Sequence, residues 1–400
     1  MTNNLNKVTY VALMVLAIGV FVSVSLSAVS HILFIIPALY YFYQDEILKK
    51  NPLKYSWSTK FLLLLCLTII LSVLVNWSEY ERPIKNLSKI KYFIIPVLSL
   101  YSLNHLLEDY LTKKRRNRLI YTLFFATAVA TVSGLIALKT GFNPIKMKAA
   151  CHQTRACGLF GMYMTYGYGI SLFSIIVTCL LLARQNFLKQ WTVVVTTVIS
   201  LLGTFYSFAR GGWIGYLAGI GAFFFKKNTK KFLIFLSLVV ISLGGALVSS
   251  DKVKNMFLNR SESNNQRIAF YQTAWVAFKE RPILGWGYRN FEPNVKFLKE
   301  RYSIKYPEFG GHAHNNLLEH LASTGILGFV FTLGFFISWL VEMYQRKDMI
   351  GLIGFPFVVS FLTSGLFQYT FGDGENLFLI MGFWAISQLR VSTDSSLCKE

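Results

Sequence analysis

Between Asn264 and Gly328 the sequence carries two stretches with residues able to do chemistry, NNQRIAFYQTAWVAFKERPILGWGYRNF and GGHAHNNLLEHLASTGILG. In the second, His312, His314 and His320 fall within nine residues. Leu317, Leu318 and Leu321 follow His314 at three, four and seven residues, a helical spacing that starts a helix at about Asn315 and leaves His314 at its mouth. A helix mouth favours anions through free amides and its dipole, and a histidine there can titrate near neutral pH. Neutral imidazole can accept the proton of a hydroxyl nucleophile, which makes His314 the candidate general base and His312 its support. The other reading, a surface histidine that caps the helix, stays open. Zinc does not fit: His320 lies six positions beyond His314, and no HExxH or cysteine partner is present, so no metal is expected.

The first stretch predicts an amphipathic helix from Asn264, with Ile268, Tyr271, Trp275 and Phe278 at helical spacing and Arg267 in its first turn. Pro282 stops it, and Gly285 and Gly287 make a tight turn into Asn290 and Phe291. Three arginines stand at the edges of apolar runs: Arg267 here, Arg210 in YSFARGGW, and Arg155. A guanidinium at such an edge is costly unless paired, and its flat fork suits two-point contact with phosphate oxygens, so a phosphorylated lipid is the expected ligand. Between Asp251 and Leu321 there are eleven Lys and Arg residues, Arg289 among them; for most of the lysines a solvated surface near lipid head groups is the plainer account.

The elements that must position these groups are membrane helices. Apolar residues make up 54% of the chain and charged ones 15%. Apolar runs of the length a bilayer requires recur throughout, which predicts an all-α polytopic membrane protein of about 12 transmembrane helices. Val8 to Tyr43 is too long for one span and reads as a hairpin of two, retained and not cleaved as a signal. Further spans fall at about 61–75, 91–107, 119–138, 158–182, 191–208, 211–225, 232–248, 321–341, 349–368 and 376–389. The expected organisation is 1–248 for helices one to nine, 249–320 for a large, partly helical outer loop, and 321–400 for helices ten to twelve and a tail.

Lys49, Lys50, Lys54 and Lys60, then Lys113, Lys114, Arg115, Arg116 and Arg118, then Lys226, Lys227, Lys230 and Lys231 lie on one side, which the positive-inside rule makes cytoplasmic. Both termini follow to that side and the 264–320 region faces outward. Cys151 and Cys157 then meet an oxidising compartment, where a disulfide is expected; a metal site with His152 lacks ligands at metal-site spacing. The net charge of +21 does not signal nucleic acid, because the spans and outward loop leave no nucleic-acid-binding fold. No P-loop or dinucleotide fingerprint is present, so no nucleotide cofactor is expected, and Asp373-Gly374-Glu375 reads as a structural loop.

Taken in order, SFARGG, QRIAFYQTAW with PILGWGYRNF, and HAHNNLLE with STGILG resemble the O-antigen ligase and polymerase superfamily of Gram-negative inner membranes. The resemblance implies a glycosyltransferase of lipopolysaccharide biosynthesis. It would move O-antigen polysaccharide from undecaprenyl diphosphate to lipid A-core oligosaccharide on the periplasmic face, without metal or ATP. It assigns diphosphate contacts to Arg210 and Arg267 and catalysis to His314; Arg155 extends the first group, and His312, Asn315 and Arg289 would support. Diphosphate is a good leaving group, so direct, inverting displacement fits a site without an evident carboxylate pair, although Glu262, Glu280, Glu308 and Glu319 lie near the outer face. An O-antigen polymerase or a protein O-oligosaccharyltransferase would share these motifs. A lipid-linked glycan transporter should carry charges deep in its spans, which hold almost none.

Overall fold

Lipid offers no hydrogen bonds, so apolar runs of this length satisfy their backbone groups internally, as helices. The computed structural model describes residues 2–249, 261–305 and 311–389 and is mostly helical. In order come α1 (Thr2–Val22), α2 (Val24–Phe42, continued by a π-helical turn, Tyr43–Ile47), α3 (Trp57–Val75), the short α4 (Pro83–Leu87), α5 (Lys91–Asp109), α6 (Lys113–Thr140), α7 (Tyr163–Leu182), α8 (Gln190–Tyr206), α9 (Arg210–Lys227), α10 (Thr229–Ser249), α11 (Ser261–Glu280), α12 (Phe291–Arg301), α13 (Asn316–Gln345), α14 (Met349–Ser364) and α15 (Gly374–Gln388). Every stretch read as a span holds a helix. Among the described residues seven helical stretches are long and apolar enough to cross a membrane: α1, α2 with its π-turn, α3, Pro83–Asp109, α6, α7 and α13; α8 and α14 are apolar but shorter.

The predicted hairpin breaks at Ser23, whose hydroxyl accepts from the Leu26 N–H and caps α2. Elsewhere small residues bring helices together, as bilayer packing favours. On α9, a Cβ at Gly215 would lie 2.8 Å from the Ser360 carbonyl oxygen and one at Gly219 2.9 Å from that of Pro356, so α9 and α14 pack backbone to backbone.

Contacts between distant segments sort the loops into two ends. At the basic end Tyr10 Oη donates to the Arg115 carbonyl, Ser58 bonds Glu342, and Lys226 Nζ donates to the carbonyls of Met343, Arg346 and Gly351. At the opposite end lie the α3–α4 turn, the 141–162 segment, the α8–α9 junction, α11, α12, the start of α13 and the α14–α15 loop. There, α13 breaks at Gly325, where φ is +64°. The break frees carbonyls one turn earlier, and the turn after α11 takes them: Trp286 N–H donates to Ala322 and Gly287 N–H to Ser323, both at 2.9 Å. Ile326 N–H returns a bond to Pro282 at 2.8 Å. A side chain at Gly285, φ +66°, would strike the Ser323 backbone at 2.5 Å, and one at Gly325 would strike Ile283. Ser72 of α3 and Asn76, its C-cap, close the joint through the carbonyls of Leu284, Ser323 and Gly285. α11 and α12 are thereby fixed to the bundle.

Two expectations about α11 need correction. The helix begins at Ser261, so Arg267 stands in its second turn. Its buried face is Phe270, Thr273, Ala274 and Ala277, whereas Ile268 and Trp275 are about half exposed, at 51% and 48%. Ile268 and Trp275 point outward while Thr273, Ala274 and Ala277, with Phe270, take the buried face. An exposed Trp and Ile suit a helix lying at a membrane surface.

Candidate active site

At the end opposite the lysine-rich loops, α11, α12 and the 282–290 turn close over the start of α13 around Phe270, Trp286, Phe291, Val295, Leu298 and Ala313. The chain from Gly311 to Asn315 crosses this packing and is pinned at both sides. Glu319, buried in the first turns of α13, accepts from the Ala313 N–H at 2.7 Å and from the Ser323 hydroxyl at 3.2 Å. Asn315 is the N-cap: its Oδ1 accepts from the N–H groups of Leu317 and Leu318. Asn316 N–H donates to the Gly365 carbonyl, while its side chain accepts from Phe371 N–H and donates to Thr370. These bonds lash the α14–α15 loop across the mouth of α13.

That lashing corrects the idea of an anion-binding helix mouth, because amides that could have held an anion are already bonded to Asn315 and Gly365. It also decides against His314 as the cap. His314 precedes the cap in the left-handed region, with φ +48°, and its ring is turned elsewhere.

Its partner is Gln368, a residue the sequence did not mark. His314 Nδ1 lies 2.6 Å from Gln368 Oε1, and Gln368 Nε2 lies 3.0 Å from His312 Nε2. With the amide oriented this way, His314 Nδ1–H donates to the carbonyl, and His312 Nε2 accepts from the amide nitrogen. Among the described residues nothing bonds His314 Nε2, which carries the ring's lone pair. His312 in turn presents Nδ1 to the Glu292 carboxylate at 4.0 Å. The imidazoles lie tilted against each other, 4.4 Å between centroids with their planes 47° apart, and Phe270 meets His314 edge-on at 5.3 Å. Burial is the main reason that His314 is pulled down to about 4, with the neighbouring His312 and the charge of Arg267 acting in the same direction. His312 is lowered as well, by burial first, with Arg289 adding to it. Both rings are therefore neutral near pH 7.

Cations flank this pair on two sides. Arg267 bears on His314 from α11, and the charges of Arg267 and Arg210 both reach Tyr168, a buried phenol of α7. Arg210 opens α9, two residues after Phe208 turns the chain through φ +52°. Arg155 has its guanidinium 4.2 Å from the centre of the Tyr163 ring. On the other side Arg289 donates to the Gly372 carbonyl at 2.7 Å, with Tyr288, Tyr369, Glu292 and Glu319 around it. Asp373, in the same loop, is raised to about 8 by burial and by its bond to Glu375.

The remaining sequence candidates divide. Cys151 and Cys157 are joined as a disulfide with Cα atoms 6.4 Å apart. His320 is buried against Tyr369 and Phe371 and is not part of the histidine pair. The oxygens of Glu319 are engaged internally, and Glu280 is held by Tyr302 and Arg301. Glu308, Cys398, Lys252, Lys254 and Arg260 lie outside the described residues, and of Glu262 only the backbone is described.

Fold and site together define a multi-pass helical membrane protein with a neutral histidine held between cationic flanks at one end of the bundle. A family model described as O-antigen ligase matches residues 195–333, the segment from α8 into α13. It contains Arg210, Arg267, His312 and His314; Arg155 and Gln368 fall outside it. An uncharacterized protein of Haemophilus influenzae is 25% identical over 282 residues, covering 66% of this chain and 66% of that relative, just under two thirds of its length.

Proposed function

We propose that this protein is an O-antigen ligase of a Gram-negative inner membrane. It would transfer O-antigen polysaccharide from undecaprenyl diphosphate to lipid A-core oligosaccharide at the periplasmic face, with both termini cytoplasmic and twelve spans. The observation that carries the mechanism is the free Nε2 lone pair of His314, whose Nδ1–H is occupied by Gln368 at 2.6 Å, on the same end of the bundle as Arg267 and Arg210.

In this reading Arg267 and Arg210 hold the donor's diphosphate, with Arg155 nearer the rim. The acceptor hydroxyl gives its proton to His314 Nε2 as its oxygen attacks the anomeric carbon. The bond from that carbon to the diphosphate breaks, the electron pair leaves with the phosphate oxygen, and the anomeric centre inverts. The arginines offset the charge that grows on the departing diphosphate, which is the demanding part of the reaction. A side chain pulled down to about 4 is a weak base before the donor binds. A bound diphosphate beside it would raise its proton affinity, so the base strengthens when the donor is present. Gln368, itself bonded to His312, holds the ring and its tautomer.

The test is transfer by purified full-length protein supplied with lipid-linked glycan and rough lipopolysaccharide, without added metal or nucleotide. Glycan appearing on the lipopolysaccharide supports the ligase. Glycan lengthening on the lipid carrier with no transfer to lipopolysaccharide would make the protein a polymerase, and no product in either assay would overturn the enzymatic reading.

A further inference from the structure

Far from the histidines, at the basic end, α1 and α6 leave a groove of about 780 Å³ between them. Its floor is one stripe of α6, with Lys114, Arg118, Tyr121, Phe125 and Val129 at intervals of three or four residues, and Ile18 of α1 forms the facing wall. Phe125 is 72% exposed, so the groove opens sideways from the bundle. From Lys114 to Val129 the helix rises about 22 Å at about 1.5 Å per residue. That is one head-group layer plus the roughly 15 Å hydrocarbon depth of a single leaflet.

The two ends of the groove differ in charge. Five cations crowd the start of α6, with no acidic residue in its first turn. The positive end of a helix dipole is the least favourable place for them. The protein satisfies two: Arg115 donates to the Tyr110 carbonyl at 2.8 Å and lies over its ring, and Arg116 bonds Asn117 and covers Phe187. Lys114 and Arg118 are exposed and make no hydrogen bond or ion pair among the described residues, and they line the groove.

We propose that this groove binds an anionic phospholipid of the surrounding bilayer, with its phosphate between Lys114 and Arg118 and one acyl chain along Phe125 and Val129. A single acyl chain matches the groove's length, and an anionic head group supplies the negative charge that the start of α6 lacks. The site is independent of the transfer chemistry at the other end of the bundle.

Native mass spectrometry of the delipidated full-length protein in detergent, titrated with phosphatidylglycerol or with phosphatidylcholine of the same chains, tests this. Wild type should bind the first phosphatidylglycerol at least tenfold more tightly than phosphatidylcholine, at about fivefold per cation near a membrane surface. Lys114→Gln with Arg118→Gln should abolish that preference, and Val129→Trp should block the tight site for either lipid. Lys230→Gln with Lys231→Gln, a change at the same end but outside the groove, should leave the preference intact. Equal affinity for the two lipids in wild type would overturn the proposal. So would a preference that survives the Lys114/Arg118 change, or one that the Lys230/Lys231 control removes equally. If the double variant fails to fold, Val129→Trp decides alone: unchanged tight binding in it refutes the groove.

Discussion

Replacing Gln368 isolates the one feature of the candidate site that no motif announced. Gln368→Leu keeps bulk in the α14–α15 loop but removes the carbonyl that accepts from His314 Nδ1 at 2.6 Å and the amide that donates to His312 at 3.0 Å. A neutral hydrogen bond contributes about 0.5–1.5 kcal/mol net. Converted at about 1.4 kcal/mol per decade, the bond to His314 biases its tautomer about two- to twelvefold. The expected result is a drop of about two- to twelvefold in kcat, with the donor KM unchanged because no arginine is disturbed. Gln368→Glu should separate positioning from packing. Its carboxylate still accepts from His314 Nδ1–H and stabilises the protonated ring, so the acid limb of the pH–rate profile should move upward. The assay is steady-state transfer to rough lipopolysaccharide across pH 4 to 8, on variants whose thermal unfolding matches wild type. Unchanged kcat and an unchanged acid limb in both variants would refute the claim that Gln368 sets the reacting nitrogen. A loss in Gln368→Leu as deep as that of removing His314 would equally refute it, since the amide would then be doing the chemistry.

Because Asn315 already caps α13, His314→Asn should unfold at the wild-type temperature yet lose about 10²- to 10⁴-fold in rate, and near-normal transfer would exclude His314 as base. With His314 lowered to about 4, the neutral ring persists from pH 8 down to about 5, so kcat/KM should be flat there and fall below it. The acid limb of kcat should sit at higher pH than that of kcat/KM, as donor binding raises the ring's affinity for the proton, and coincident limbs would contradict a diphosphate beside it. The folded value also lies below the free side chain's 6.5, so wild type and His314→Asn should melt together above about pH 6.5, and wild type should lose stability relative to the variant as pH falls from there through about 4. Arg267→Ala should weaken donor use by about 10- to 100-fold, from the about 1.5–3 kcal/mol of a charged hydrogen bond, with Arg267→Lys in between; donor KM and kcat measure it. Maleimide should label Cys151 and Cys157 only after reduction, and labelling of both without reductant would show no bridge. A reporter fused after Asn228 should give a cytoplasmic signal and one after Asn264 a periplasmic signal, and a cytoplasmic Asn264 fusion would reverse the orientation.

Much of the architecture was legible in the chain because a bilayer leaves so few solutions. Apolar runs must become helices to satisfy their own backbone groups, so each stretch read as a span holds one, and polar Ser23 marks where the first hairpin breaks. Pro282, Gly285 and Gly287 dictated the end of α11 and its turn through missing donors and positive φ, which are local properties. The motifs around Arg210, Arg267 and His314 were likewise visible as residue types at fixed spacings. Which face of α11 is buried was not visible: a surface lying in lipid is as apolar as a core, so hydrophobic periodicity cannot tell Ile268 and Trp275 from Phe270 and Ala274. Nor could spacing show that the amides at the start of α13 are taken by Asn315 and Gly365, or that Arg210 and Arg267 both bear on Tyr168. Gln368 stands 54 residues from His314 in a loop with no motif of its own. Only the packing of α14 and α15 against α13 brings its amide between the two imidazoles, and with it the choice of which nitrogen is free to take a proton.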